Sequence, residues 1–230
     1  MTNPPRIPRS LPRGRSHLPR EVVLVSQRER LLEATVEVVG DKGYVAATVG
    51  DIIGAARVSR TTFYEQFRDK EQCFIAAYEE SARLHVEHVR AAAKQPGGTL
   101  QRLQAGVRAY LEVLAGDPAY ARVSLVEVLA AGPGAAAARD AVHGRYAEML
   151  RKWQVEARSE NQGVPPMPDE VFDAAIGGVT DLLAAVVRRG GAERLPTLAP
   201  VIVTFLLNAG AVPAGRELAA ALSAARARRA

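Results

Sequence analysis

TVGDIIGAARVSRTTFYEQF, residues 48–67, reads as two short helices joined by a tight turn. Thr48 is placed to cap the first helix, with Asp51 three positions on as its reciprocal partner. Ile52, Ile53 and Ala56 give that helix a buried side. A break follows at Ala56-Arg57-Val58, and Ser59 caps a second helix. Phe63 and Phe67, four residues apart, point the second helix inward. Arg60, Thr61, Thr62 and Tyr64 are then left on a face with no packing role. An arginine- and hydroxyl-bearing helix of this size suits the major groove of DNA, so the stretch reads as a helix-turn-helix.

Working outward, a first helix is expected from about Ser26 to Gly40, beginning as early as Arg20, with Leu31, Ala34 and Val38 on one face. Gly43 ends it. On the other side, Asp69 caps a long helix with Gln72 as its box partner. That helix should run from Lys70 to Lys94, about 37 Å at 1.5 Å per residue, before the break Gln95-Pro96-Gly97-Gly98.

The run from Arg28 to Tyr78 resembles the DNA-binding domain of the TetR family of bacterial transcriptional regulators. The resemblance rests on Gly43-Tyr44, Thr48-Val49, Asp51-Ile52, Ala55-Ala56, Val58-Ser59, Thr62-Phe63-Tyr64, Phe67 and Lys70-Glu71. It implies that Tyr64 and Lys70 contact phosphates. From the residues themselves, Arg60, Thr61 and Thr62 are placed to meet base edges. Thr48 and Ser59 stand at helix starts, where backbone N–H groups favour phosphate oxygens. One position departs from the family pattern: the turn usually carries Gly where this chain has Arg57. A positive φ there would strain an arginine by about 1 kcal/mol; alternatively, Arg57 supplies an extra phosphate contact.

The rest of the chain reads as all-α. The expected divisions are a disordered basic arm over 1–20, the helix-turn-helix domain over 21–72, and a helical effector-binding and dimerisation domain over 73–230. Thr99 is taken as the cap of a helix carrying Leu103, Val107, Tyr110 and Leu114. Asp117-Pro118 opens another, through about Ala131. A long helix is expected from about Ala136 to Ser159, then one capped by Asp169, one opened by Pro196, and an Ala-rich last helix from Pro213.

The 230-residue chain has a net charge of +5, and its basic residues gather at the ends. Arg6, Arg9, Arg13, Arg15 and Arg20 stand among five prolines with no acid; Arg226, Arg228 and Arg229 close the chain. Such tails suit a polyanion and do not build a core. The N-terminus has no apolar stretch of a secretory signal, and Leu195 to Val212 is interrupted by Pro196, Pro200 and Asn208, so no membrane span is read. The single cysteine, Cys73, rules out a disulfide framework, and a reducing cytoplasm fits. No phosphate loop, nucleophile elbow or paired carboxylates mark an enzyme, and no cofactor is called for. His85, His88 and His143 are read as ordinary histidines, not metal ligands.

Two residue sets in the second domain are candidates for further contacts. Tyr110, Leu114, Tyr120, Leu125, Tyr146, Met149, Trp153 and Phe172 form a candidate lining for a hydrophobic or amphipathic effector. Phe172, Ile176, Val179, Leu183, Val187, Leu198, Ile202 and Phe205 form a candidate homodimer interface, since two wide apolar helices leave surface uncovered. The expected function is a ligand-responsive regulator, a repressor on double-stranded palindromic operator DNA. The competing reading is a nonspecific, nucleoid-type DNA-binding protein that uses its basic tails.

Overall fold

A computed structural model describes residues 20–161 and 166–209; the proline-arginine arm before residue 20 and the Ala-rich segment after 209 lie outside the described residues. The described residues contain helices and no strand. Helix α1 spans Arg20–Lys42, α2 Val49–Ala56, α3 Arg60–Gln66 and α4 Lys70–Ala92. They are followed by α5 Thr99–Gly116, α6 Pro118–Leu125, a 3-10 turn Glu127–Ala130, and α7 Pro133–Glu160. The chain continues through α8 Asp169–Arg188, a 3-10 stretch Ala192–Leu198, and α9 Ala199–Ala209.

Two apolar cores share two helices. A small one gathers Leu31 and Ala34 of α1, Ile52 and Ala56 of α2, Phe63, Phe67, and Cys73 of α4. The large one takes Val36 and Val39 from α1 and Phe74, Ala77 and Tyr78 from α4, then fills with residues of α5 to α9. The division drawn after residue 72 thus falls in the first turn of α4, a helix that serves both cores. Helices α1 and α6 meet at Gly40, where a Cβ would stand 2.6 Å from Ala119 Cβ, so only hydrogen fits.

The α2–α3 turn explains why a glycine is usual there. Arg57 N–H donates to Gly54 O (3.3 Å) and Val58 N–H to Ile53 O (3.2 Å), the two-bond Schellman ending of a helix. That ending requires a left-handed residue, and Arg57 adopts φ 52°, ψ 47°. Arg30 Nη1 donates to Ala56 O (3.2 Å), satisfying another end carbonyl of α2. Arg57→Gly should raise stability by about 0.5–1 kcal/mol, because glycine removes the Cβ clash and loses only part of that gain in unfolded-chain entropy. A thermal melt checks it; a lower midpoint would mean that the arginine side chain contributes more than its backbone costs.

Several expected helix ends move. Gly98, not Thr99, is the cap residue of α5, its N–H donating to Gln101 Oε1 (3.1 Å), while Thr99 is buried inside the first turn. Pro168 precedes α8, and the Asp169 carboxylate leaves the helix end to accept from Arg151 Nε (2.8 Å). The helix opened by Pro118 stops at Leu125, where Val126 departs from helical geometry (φ −123°) and a 3-10 turn follows. Helix α7 begins earlier than expected, with Pro133 at its first position. Pro196 lies within a 3-10 stretch, and α9 starts only at Ala199.

Candidate nucleic-acid interface and effector cavity

Thr48 Oγ1 accepts from Asp51 N–H (3.1 Å) and donates to Asp51 Oδ2 (2.8 Å), while Thr48 N–H donates to the same carboxylate oxygen (3.0 Å). Lys42 Nζ closes the set at 2.6 Å from Asp51 Oδ1. These bonds hold the Asp51 carboxyl down at about 2, so the cap stays charged at neutral pH. The Thr48 hydroxyl proton is therefore already used, and the first-turn N–H groups of α2 are what remain for a phosphate.

In α3, Ser59 Oγ accepts from Thr62 N–H (3.0 Å) and lies 2.9 Å from Thr62 Oγ1. The capped helix pivots on Phe63, which is wholly buried and packs edge-on to Tyr64 and against Phe67. Arg60, Thr61 and Tyr64 are exposed. At 100° per residue they fall within one 100° arc, away from Phe63. Thr62 differs from the other three: it is half-buried and engaged with Ser59.

Lys70 has a different setting from the one the resemblance implied. Its ammonium donates to Tyr44 O (2.7 Å) and Ala47 O (2.8 Å) and sits 4.2 Å from the Tyr44 ring centre. Two of its three donors thus hold the α1–α2 loop. The same loop is held from the other side by Glu127, whose carboxylate accepts from Tyr44 N–H (2.8 Å) and Arg122 Nε (3.0 Å). Arg122 Nη1 in turn donates to Asp41 O (3.1 Å). Gly43, at φ 82°, turns the chain beneath that carboxylate.

At the far end of α4 lies a cavity of about 560 Å³, within the range of ligand sites. Its walls come from α4, α5, α7, α8 and α9. Of the expected lining, Tyr110, Tyr146, Met149 and Trp153 face it. Leu114, Tyr120, Leu125 and Phe172 do not; they are buried core residues outside the lining. The sequence reading missed Leu103, Gly106, Thr180 and Leu206, along with a charged rim of Arg90, Lys94, Arg102, Glu148, Lys152 and Glu156. A core stripe and a cavity stripe share one helical period, so no signal in the pattern separates them. The Tyr110 and Tyr146 rings lie 5.1 Å apart, and burial pushes the Tyr110 hydroxyl up to about 12. Trp153 Nε1 donates to Thr99 O (2.7 Å).

The expected dimer residues divide in the same way. Phe172, Val179, Leu183 and Ile202 are buried within their own chain, and Ile176, Val179 and Ile202 line the cavity. Val187 and Leu198 are half-buried. Of the proposed set, Phe205 remains open at 44% exposure, beside the exposed Val201 of α9 and Leu182 of α8. The stripe expected to meet a partner satisfies the internal core, and the opposite face is left uncovered.

No group of three or more metal-ligating side chains occurs among the described residues. His85 lies 3.9 Å from the Tyr120 ring, and burial holds it neutral, down at about 4; His143 is likewise held near 4. No helix among the described residues is long and apolar enough to cross a membrane.

A capped helix pair with an exposed arginine-threonine-tyrosine face, a helix-turn-helix, is joined by one helix to an all-helical domain that holds a cavity. Residues 31–77 match the family described as bacterial regulatory proteins, tetR family. It is 32% identical over 102 residues to the HTH-type transcriptional activator FasR of Mycolicibacterium smegmatis, covering 44% of this chain and 45% of that protein. It is 27% identical over 99 residues to the fatty acid metabolism regulator protein of Bacillus subtilis, covering 43% and 51%. The chain thus spans about half the length of these two relatives. Its fold is shared with the regulator FadR of Bacillus subtilis solved in complex with stearoyl-CoA (TM-score 0.71, 20% identity, 79% of this chain and 98% of that one). It is also shared with the fatty acid degradation regulator FadR of Bacillus halodurans (TM-score 0.72, 21% identity, 79% and 94%).

Proposed function

We propose that this protein is a homodimeric repressor whose grip on a palindromic operator is released by an amphipathic molecule with a long apolar chain. The observation that carries the reading is the double engagement of α4. Its first residue, Lys70, holds the loop that leads into the helix-turn-helix, and its last turns, through Val89 and Arg90, wall the cavity. The 23 residues between those ends form one rod about 34 Å long, so a shift at the cavity is carried to the DNA-reading helix.

The apolar walls and charged rim of the cavity favour a molecule with a chain and a polar head, and the similar regulator solved with stearoyl-CoA supports that class. The open patch of Leu182, Val201 and Phe205 supports a two-fold contact through α8 and α9. Two α3 helices then meet successive major grooves about 34–36 Å apart. Repression follows where the operator overlaps the promoter.

Arg60→Ala is expected to weaken operator binding by about 1–3 kcal/mol and relax base choice at one position, since the exposed guanidinium has no ion-pair partner among the described residues. Titration of specific and scrambled duplexes checks it. Equal affinity of the native protein for both duplexes would instead favour nonspecific coating of DNA. Ligand and operator should also oppose each other by the same factor, so calorimetry of ligand with and without operator tests the coupling.

A further inference from the structure

Arg57 is the only residue other than glycine with a positive φ among the described residues, and no contact within the chain accounts for an arginine there. Its backbone is fixed. The Arg57 and Val58 N–H groups close the end of α2, and Arg30 holds the Ala56 carbonyl beside it. The Arg57 side chain, in contrast, is exposed and makes no hydrogen bond, ion pair or ring contact among the described residues. Glycine would make the same turn without strain, and strain that the fold does not need is a sign of function at that position.

The other cations of the helix-turn-helix are engaged within the chain. Of the five from Lys42 to Lys70, Lys42 pairs with Asp51 (2.6 Å) and Arg68 with Asp69 (2.8 Å), while Lys70 donates to Tyr44 O and Ala47 O. Arg57 and Arg60 are the two left without an internal partner among the described residues. They stand on either side of Ser59, the cap of α3. Three residues separate them, so their Cα atoms lie at most about 10–11 Å apart. A major groove is about 12 Å wide and edged by phosphates. With Arg60 on the first turn of the helix assigned to that groove, a guanidinium rooted so near it but outside α3 reaches the groove's edge rather than its floor.

We infer that Arg57 is a phosphate-contacting residue, presented by its left-handed backbone at the edge of the groove that α3 enters. Its guanidinium donates to a phosphodiester oxygen, a group that the planar fork of donors fits. Such a contact carries no base information. It adds affinity for every duplex alike and leaves the choice of sequence to Arg60, Thr61 and Tyr64. The α2–α3 turn is less stable for it, and the grip on DNA is stronger. This rests on the reading of α3 as the helix that meets DNA.

The test titrates full-length protein, at several salt concentrations, into a duplex covering the protein's own promoter region and a scrambled duplex of the same composition. Arg57→Gly suits the turn, so it folds while losing the guanidinium. It should bind both duplexes roughly three- to tenfold more weakly, although its thermal midpoint rises. Its slope of log K against log salt should be shallower by about 0.9 for each protomer bound. Arg57→Lys keeps a point charge and should retain most of the slope. Arg189→Gln is the control for net charge: it removes an exposed cation after α8, outside the small core, and should leave the slope unchanged.

A native slope in Arg57→Gly, or a change no larger than that of Arg189→Gln, overturns the inference and leaves the operator reading standing. If the native protein binds both duplexes equally, sequence-specific reading falls, and the slope of Arg57→Gly still decides the phosphate contact. Failure of the native protein to bind either duplex overturns both.

Discussion

Phe63→Ala should abolish sequence-specific DNA binding and destabilise the helix-turn-helix by about 3–5 kcal/mol. The ring is wholly buried in the small core, between Leu31 and Ala34 of α1 and Ile52 and Ala56 of α2. Helix α3 has seven residues, too few to hold helical structure without packing. The Ser59 cap fastens only its first turn, so the loss of Phe63 leaves Arg60, Thr61 and Tyr64 on a helix with no fixed bearing. Trp153 lies in the other core and reports that region separately. Circular dichroism should therefore show early loss of helix while the tryptophan transition moves little. Native-like operator affinity in this variant would mean that α3 is oriented by something other than its buried ring.

Lys70→Met is the second large effect, about 3 kcal/mol of stability. Two charge-assisted bonds, each worth about 1.5–3 kcal/mol, are lost, and the methionine chain restores part of the packing. Tyr44 keeps its N–H bond to Glu127, so the loop stays attached to the turn after α6 but no longer to α4. Operator affinity should fall for every sequence alike, because the whole reading head is displaced. Its salt dependence separates two roles for this lysine. A loop clamp leaves the slope of log K against log salt unchanged, whereas a phosphate contact makes it shallower by about 0.9. Denaturation and titrations at several salt concentrations measure both quantities.

The parts of the fold that were legible in the sequence are those decided within a few residues. Thr48 with Asp51, Ser59 before α3, Asp69 before α4, and Asp117-Pro118 all act at the helix ends where they were expected, while the Gln72 side chain accepts from Arg68 N–H and so does not close the expected box with Asp69. Each satisfies backbone donors only three positions away, so the chemistry is local. The strained turn was legible for the same reason, since the helix ending and φ of Arg57 follow from one short segment.

The ends that moved were decided by partners distant in sequence. Arg151 draws the Asp169 carboxylate away from its own helix, 18 residues on. Glu127 is engaged by the Tyr44 N–H, 83 residues earlier, at the place where the helix expected to reach Ala131 breaks into a 3-10 turn. Long-range bonds of this kind leave no mark in hydrophobic periodicity.

The sequence alone determined a helical protein with a helix-turn-helix unit, because caps, turn and inward phenylalanines are fixed by neighbours along the chain. Tertiary structure alone decided which apolar stripe is core, which walls a cavity and which stays open. Tyr120 and Tyr146 follow the same helical spacing, yet one is sealed in the core and the other faces the cavity. Phe172 and Phe205 look alike in the sequence, yet tertiary packing buries the first and leaves the second in solvent. Periodicity says which side of a helix is apolar; how closely the next helix approaches that side is set by the three-dimensional arrangement of the whole chain.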